Sequence, residues 1–205
     1  MSHHPPIDPA ELEDFPFVTV TPEHVFFRVH HFKFEPGYFS TRGDGRFDPP
    51  RHSRNEYGTC YVATSETGAF LETLGRIRPL PDYIVRDRVL SEVSPEGDMR
   101  VADLTNPAVL GRFGIYGDIS AGGDYEVPQQ WGNALRLAGL AGVLYRARHD
   151  PSFEETSLAF FGPPGEQPGK ILIPTKDDPE PIHEGLLRHM QDRFHIFVVP
   201  TGTLD

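Results

Sequence analysis

The hydrophobic pattern changes period several times along the chain, and each change marks an element. Val25 to Phe34 is dense in aromatic and β-branched residues and predicts a strand, while Thr59 to Thr64 predicts a short buried one. Between them, Gly37 to Gly58 is rich in Gly, Pro, Arg and Asp, the composition of a long loop or hairpin region. In residues 66–78, Phe70, Leu74 and Ile77 recur at spacings of four and three, giving one apolar helical stripe that Pro79 and Pro81 end. Met99 to Leu104 predicts a strand, and Pro107 opens a short helical turn. From Pro128, the residues Trp131, Leu135 and Ala138 share a helical face. Ala141 to Arg148 and Ser157 to Phe161 follow as strands. The Pro/Gly-rich stretch 162–181 reads as a linker or wrapped loop, after which Leu186, Leu187 and Met190 predict a helix and Ile196 to Val199 a last strand.

This pattern divides the chain into a loose N-terminal arm (1–23), one main domain (24–162) and a C-terminal extension (163–205) that docks on the domain or on a partner. A length of 205 residues with 38% hydrophobic content supports one buried core rather than two. The net charge of -11 excludes a broad basic surface for nucleic acid, so an anionic ligand needs a local cationic pocket. Cys60 is the sole cysteine, which excludes an internal disulfide and suits a reducing compartment. Neither a signal peptide nor a membrane span is legible, so the expectation is a soluble cytoplasmic protein.

Three features carry candidate chemistry. In Gly43-Asp44-Gly45-Arg46, two glycines permit close backbone approach beside a guanidinium suited to phosphate oxygens. Read alone, this segment is better described as an exposed turn with solvated arginines. Glu72 has Gly68, Ala69 and Gly75 as its same-side helical neighbours, so a ligand or a packed element approaches that face closely. Tyr61, eleven positions earlier, is suited to stacking on a flat ring, although packing with a satisfied hydroxyl is its default role. His183-Glu184 lacks the second histidine of a zinc-protease pattern, and no metal site is expected. Gly165 to Gly169-Lys170 approximates a phosphate loop but has the wrong glycine spacing, with Ile171 in the hydroxyl position.

Taken together, these residues resemble the RES-domain family. The likeness comprises Phe27-Arg28-Val29, Gly45-Arg46-Phe47-Asp48 and Tyr61-Val62-Ala63-Thr64-Ser65 leading to Ala69-Phe70-Leu71-Glu72. Ala102-Asp103-Leu104, Asn106-Pro107, the Trp131 helix and Gly142-Val143-Leu144-Tyr145-Arg146-Ala147-Arg148 extend it over roughly residues 25 to 162. The sequence departs at Ala147, where the family has serine, and in an insertion around Arg51 to Glu56.

The resemblance implies an α+β domain, with a central bent sheet and flanking helices, similar to ADP-ribosyltransferases. It also implies a toxin that cleaves the nicotinamide–ribose bond of NAD with phosphate or water as acceptor. NAD is then a substrate, and no cofactor or metal is required. Glu72, Arg46 and Tyr61 fall in catalytic positions, and Arg28, Tyr61, Ala147 and Arg148 in substrate-binding ones. The implied partner is a helix-turn-helix antitoxin that covers the active site with an extended segment; direct nucleic-acid and membrane contacts are not expected, and a homodimer is left open. Because Ala147 removes a hydroxyl, an impaired NAD-binding or protein-interaction module is the alternative reading. Transfer of ADP-ribose to a protein is the third.

Overall fold

A computed structural model of the chain describes residues 1–6, 8–167 and 170–202. In chain order the first elements are β1 (Phe17–Val20), β2 (Phe26–His31), β3 (Tyr38–Phe39), β4 (Gly58–Ala63) and α1 (Glu66–Leu74). The middle comprises β5 (Leu80–Pro81), α2 (Asp82–Arg86), β6 (Arg88–Pro95), β7 (Met99–Asp103), α3 (Ala108–Phe113), α4 (Asp118–Ala121) and α5 (Glu126–Leu137). The chain continues through β8 (Gly142–Arg146), β9 (Thr156–Gly162), β10 (Gly165–Glu166), β11 (Leu172–Pro174), β12 (Glu180–Pro181), α6 (Glu184–Phe194) and β13 (Val198–Val199). The fold is α+β, with a nine-stranded sheet in the order β1-β7-β8-β9-β4-β2-β6-β11 and β12 also on β6.

The sheet curls because strands from both ends of that order share one core. Val20 of β1 and Leu172 of β11 lie in a cluster with Phe26, Phe39, Cys60, Val62, Val93, Val101, Leu158 and Phe160. That concave face is filled by strand and near-strand residues, so burying it requires no helix. The opposite face is covered in two patches. The Trp131 side of α5, with Ile115 and Ile119, packs on Val143, Tyr145, Ala159 and Phe161. α1 and α6 pack on Ala63, Val29 and Leu90 through Phe70, Leu74, Leu186 and Met190. The join between the patches coincides with the weakest link in the sheet, where β2 and β4 are registered at a single position, Phe27 opposite Ala63. Neighbouring strand pairs hold longer ladders, six registered positions for β4 with β9 and six for β2 with β6.

Several sequence expectations change. The arm expected to be loose is built in. Leu12 and Phe15 are buried in the α5 patch, and β1 extends the sheet beside β7. Ser2 bonds Asp118, and the carbonyl of His3 accepts from the Trp131 indole at 2.7 Å. Ile7 in this arm, together with Pro168, Gly169 and residues 203–205 of the extension, lies outside the described residues, and so does that part of the Gly165 to Lys170 segment set aside above. β6 went unread because it is buried on both faces, Leu90 toward α6 and Val93 toward the concave core, which erases a period of two. The 162–181 stretch wraps the domain: β11 and β12 both pair antiparallel with β6. The predicted helix over 66–78 stops at Leu74, where Gly75 forms the cap, and the 128 helix begins two residues early at Glu126. His183 caps α6 and bonds Glu66. The Arg51 to Glu56 insertion opens with a 3-10 turn over Arg51–Ser53. Among the described residues, no helix is long and apolar enough to cross a membrane.

Candidate active site

Where β2 and β4 diverge, a cleft of about 550 Å³ opens, and Arg28, Arg46, Tyr61, Glu72 and Arg148 all line it. Arg42, Arg76 and Arg88 line it too, making six guanidiniums in one concavity of an acidic protein. Four of the residues picked out in the sequence, Arg28, Arg46, Tyr61 and Glu72, thus come from β2, the 43–48 loop, β4 and α1.

Glu72 stands on the α1 face that meets the sheet. Ser65 caps the helix by accepting from the Gly68 amide at 2.9 Å, fixing where its first turn begins. A Cβ at Gly68 would sit 3.0 Å from the Ala63 methyl, and one at Gly75 would sit 2.8 Å from the His149 Cβ. The small residues around Glu72 therefore admit β4 and the segment after β8. A packed element is what approaches closely, yet Glu72 faces the cleft and not bulk solvent.

The carboxylate of Glu72 accepts from the Tyr145 hydroxyl at 2.8 Å and from the Ser157 hydroxyl at 3.3 Å. Tyr145 and Ser157 are directly opposite in the β8–β9 ladder, so one register brings both donors to the same side chain. Burial pushes the Glu72 carboxyl above the usual carboxylate range; the two hydroxyls, then the charges of Arg46 and Arg148, pull it back down.

Arg46 is 4% exposed, which overturns its reading as part of a solvated turn. Its guanidinium donates to the carbonyls of Ile119 at 3.3 Å and Gly122 at 2.6 Å and lies 4.8 Å from the Tyr125 ring centre. Arg148 donates to the hydroxyl of the same tyrosine at 3.1 Å. The loop carrying Arg46 is built around buried Asp48, whose carboxylate accepts from the amides of Gly43 at 3.0 Å and Gly45 at 2.9 Å. Gln129 of α5 clamps it by donating to the carbonyls of Gly43 and Gly45. A Cβ at Gly45 would fall 2.5 Å from both Asp48 Oδ1 and the Tyr61 hydroxyl, so glycine is required there.

Tyr61 donates to Asp48 at 2.9 Å and accepts from the Phe47 amide at 2.8 Å. Both of its hydrogen-bonding roles are used internally, and burial holds its phenol well above its ordinary range. Its position makes it a wall and a loop anchor. Arg28 lies in the β2–β4 split, where it donates to the Pro36 carbonyl and to Cys60 Sγ, the latter at 2.9 Å. Beside it His30, bonded to Ser91 at 2.8 Å, is pushed down to about 4 by burial and by Arg28, and is neutral at pH 7.

Ala147 is fully buried and does not line the cleft. Of the two serines that follow it in the chain before β9 turns back, Ser152 is held in its own turn by Asp150 at 2.6 Å, whereas Ser157 on β9 reaches Glu72. Sequence reading missed Tyr125, Tyr145, Gln129 and Asp48 as site residues. Asp48 carried a signal, an acidic residue three positions after the required glycine, but the contacts of Tyr125 and Gln129 with the Arg46 loop cross more than seventy residues of sequence.

The solved structure of the M. tuberculosis MbcT-MbcA toxin-antitoxin complex contains a chain similar to this one. The two share 20% identity, with a TM-score of 0.58 over 77% of this chain and 84% of that one. That likeness supports the fold. None of the curated proteins matches. The sequence profile of the RES domain matches residues 25–181, which carries the family region past Gly162 through β11 and β12, the strands that complete the β6 edge. With more than half its length matched, and with the motif residues gathered at one cleft, the chain belongs to the RES domain family.

Proposed function

We propose that this protein is a RES-type toxin that cleaves the nicotinamide–ribose bond of NAD in the cytoplasm, with phosphate or water as acceptor. The observation that carries the reading is a carboxylate held by two hydroxyls inside a cleft lined with arginines. Nicotinamide leaves as a neutral base and takes the bonding electron pair, so positive charge develops on the ribose carbon. Glu72 is placed to stabilise that charge, and an oxygen of water or phosphate then forms the new bond and releases a proton. Arg46 and Arg148, held at Tyr125, supply cationic groups for the diphosphate. Arg28 and the wall formed by Tyr61 restrict how the dinucleotide lies.

As a toxin, the protein is expected to be held inactive by an antitoxin whose extended segment occupies the same cleft. The neighbouring solved structure is of a toxin-antitoxin complex, which supports a partner of that class. The test is incubation of the purified protein with NAD, with and without phosphate, followed by identification of the products. Free nicotinamide with ADP-ribose identifies water as acceptor; nicotinamide with the anomeric phosphate of ADP-ribose identifies phosphate. Absence of nicotinamide release overturns the reading, and labelled ADP-ribose on lysate proteins redirects it to protein transfer.

A further inference from the structure

We propose that Ser157 is a positioning residue for Glu72, supplying from β9 the hydroxyl that Ala147 cannot supply from β8. This inference rests on Glu72 being the working carboxylate of the proposed reaction. The geometry comes from strand register. Tyr145 opposes Ser157, and the Ala147 amide donates to the Glu155 carbonyl at 3.0 Å, so the ladder continues two residues further in the same register. With a side-chain period of two, Tyr145 on β8 and Ala147 just past its end point to the same face as Ser157 on β9 and Glu155 just before it. Ala147 is thus the diagonal neighbour of Ser157 on the face that Glu72 covers. On that face this chain carries its hydroxyl at 157, in contact with the Glu72 carboxylate, and has a methyl at the diagonal position 147.

Two properties suit Ser157 to the role. It is fully buried, so its hydroxyl is shielded from competing bulk water. Its bond goes to Oε2 of Glu72, while Tyr145 takes Oε1, so the two donors fix both oxygens and hence the plane of the carboxylate. Against the upward push of burial, both donors stabilise the ionised form, the form that the proposed reaction uses.

The test measures the titration of Glu72 by carbon NMR of the labelled carboxyl, alongside the pH profile of nicotinamide release. Ser157→Ala is expected to raise the Glu72 midpoint, move the acid limb of turnover to higher pH, and lower kcat about tenfold with KM little changed. Ser157→Cys, which fills the same space with a weaker donor, should fall between alanine and wild type and controls for a packing effect. Adding Ala147→Ser to Ser157→Ala should restore the midpoint. An unchanged midpoint in Ser157→Ala overturns the proposal, and failure of the second serine to restore it overturns the equivalence of the two positions. If wild type releases no nicotinamide, the NAD reading fails, but the NMR midpoints still decide whether Ser157 holds Glu72.

Discussion

Two concavities share the Phe34 side chain as a wall and handle charge in opposite ways. The smaller, about 300 Å³, is lined by Glu35, Glu66, Glu92, Asp177, Asp178 and Glu180. There Lys176 pairs with Glu92 at 2.6 Å and with Glu180 at 2.9 Å, and Glu66 meets His183 at 2.9 Å. One lysine offsets part of this negative charge, and the remainder lies at the surface, where solvent screens it. In the larger cleft, Arg28, Arg46, Arg76, Arg88 and Arg148 have no carboxylate within ion-pair distance among the described residues. Arg46, the most buried of them, is satisfied by backbone carbonyls instead. Carbonyls meet the hydrogen-bonding need without cancelling the charge, so the cleft keeps its positive field for an anionic ligand. The comparison separates charge that decorates a surface from charge held available for binding.

The sharpest way to break that contrast is Glu72→Gln, which keeps shape and removes charge from the cationic cleft. Nicotinamide release should fall by on the order of 10²–10³-fold. Stability should move the other way. Burial raises the carboxyl in the folded state, so as pH climbs from about 4.5 the unfolded chain ionises first and wild type loses stability up to the folded-state pKa. Glutamine has no such ionisation, so at pH 7 its melting temperature should equal or exceed that of wild type. Wild-type turnover in this variant removes Glu72 from the chemistry.

A smaller effect is expected from Arg46→Ala, which strips the cleft of its buried guanidinium. NAD binding should weaken about 10–100-fold, the scale of a charge-assisted hydrogen bond. The melting temperature should drop by roughly 4–8 °C, because the Ile119 and Gly122 carbonyls lose their donor. Arg46→Lys keeps the charge but not the fork and should bind NAD better than alanine does. Calorimetry showing equal affinity for wild type and alanine would detach Arg46 from the ligand.

The smallest effect belongs to the acidic groove. Lys176→Ala breaks two exposed ion pairs, and both turnover and NAD affinity should stay at wild-type values, with a melting shift within about 2 °C. A large loss of turnover there would mean that the two concavities are coupled through Phe34, and the contrast between them would have to be redrawn.

What the chain's own order determines is local. The α1 stripe and the small residues around Glu72 follow from helical spacing, and β2, β4, β7, β8 and β9 were legible because each carries a short apolar run between turn residues. The Gly45 to Asp48 segment was legible as part of a family resemblance, but that Asp48 holds the Gly45 amide, and that Gly45 has no room for a Cβ, only the folded loop shows. Tertiary structure decided the rest. β6, buried on both faces, carries no period to read, and the N-terminal arm is held by partners distant in sequence, β7, the α5 patch, Trp131 and Asp118. The setting of Glu72 is the clearest case, because helical spacing exposes the carboxylate but the two hydroxyls that hold it lie 73 and 85 residues further on. They meet it through the register of β8 against β9, and register is settled by which faces the whole sheet buries, a property that no local stretch of sequence contains.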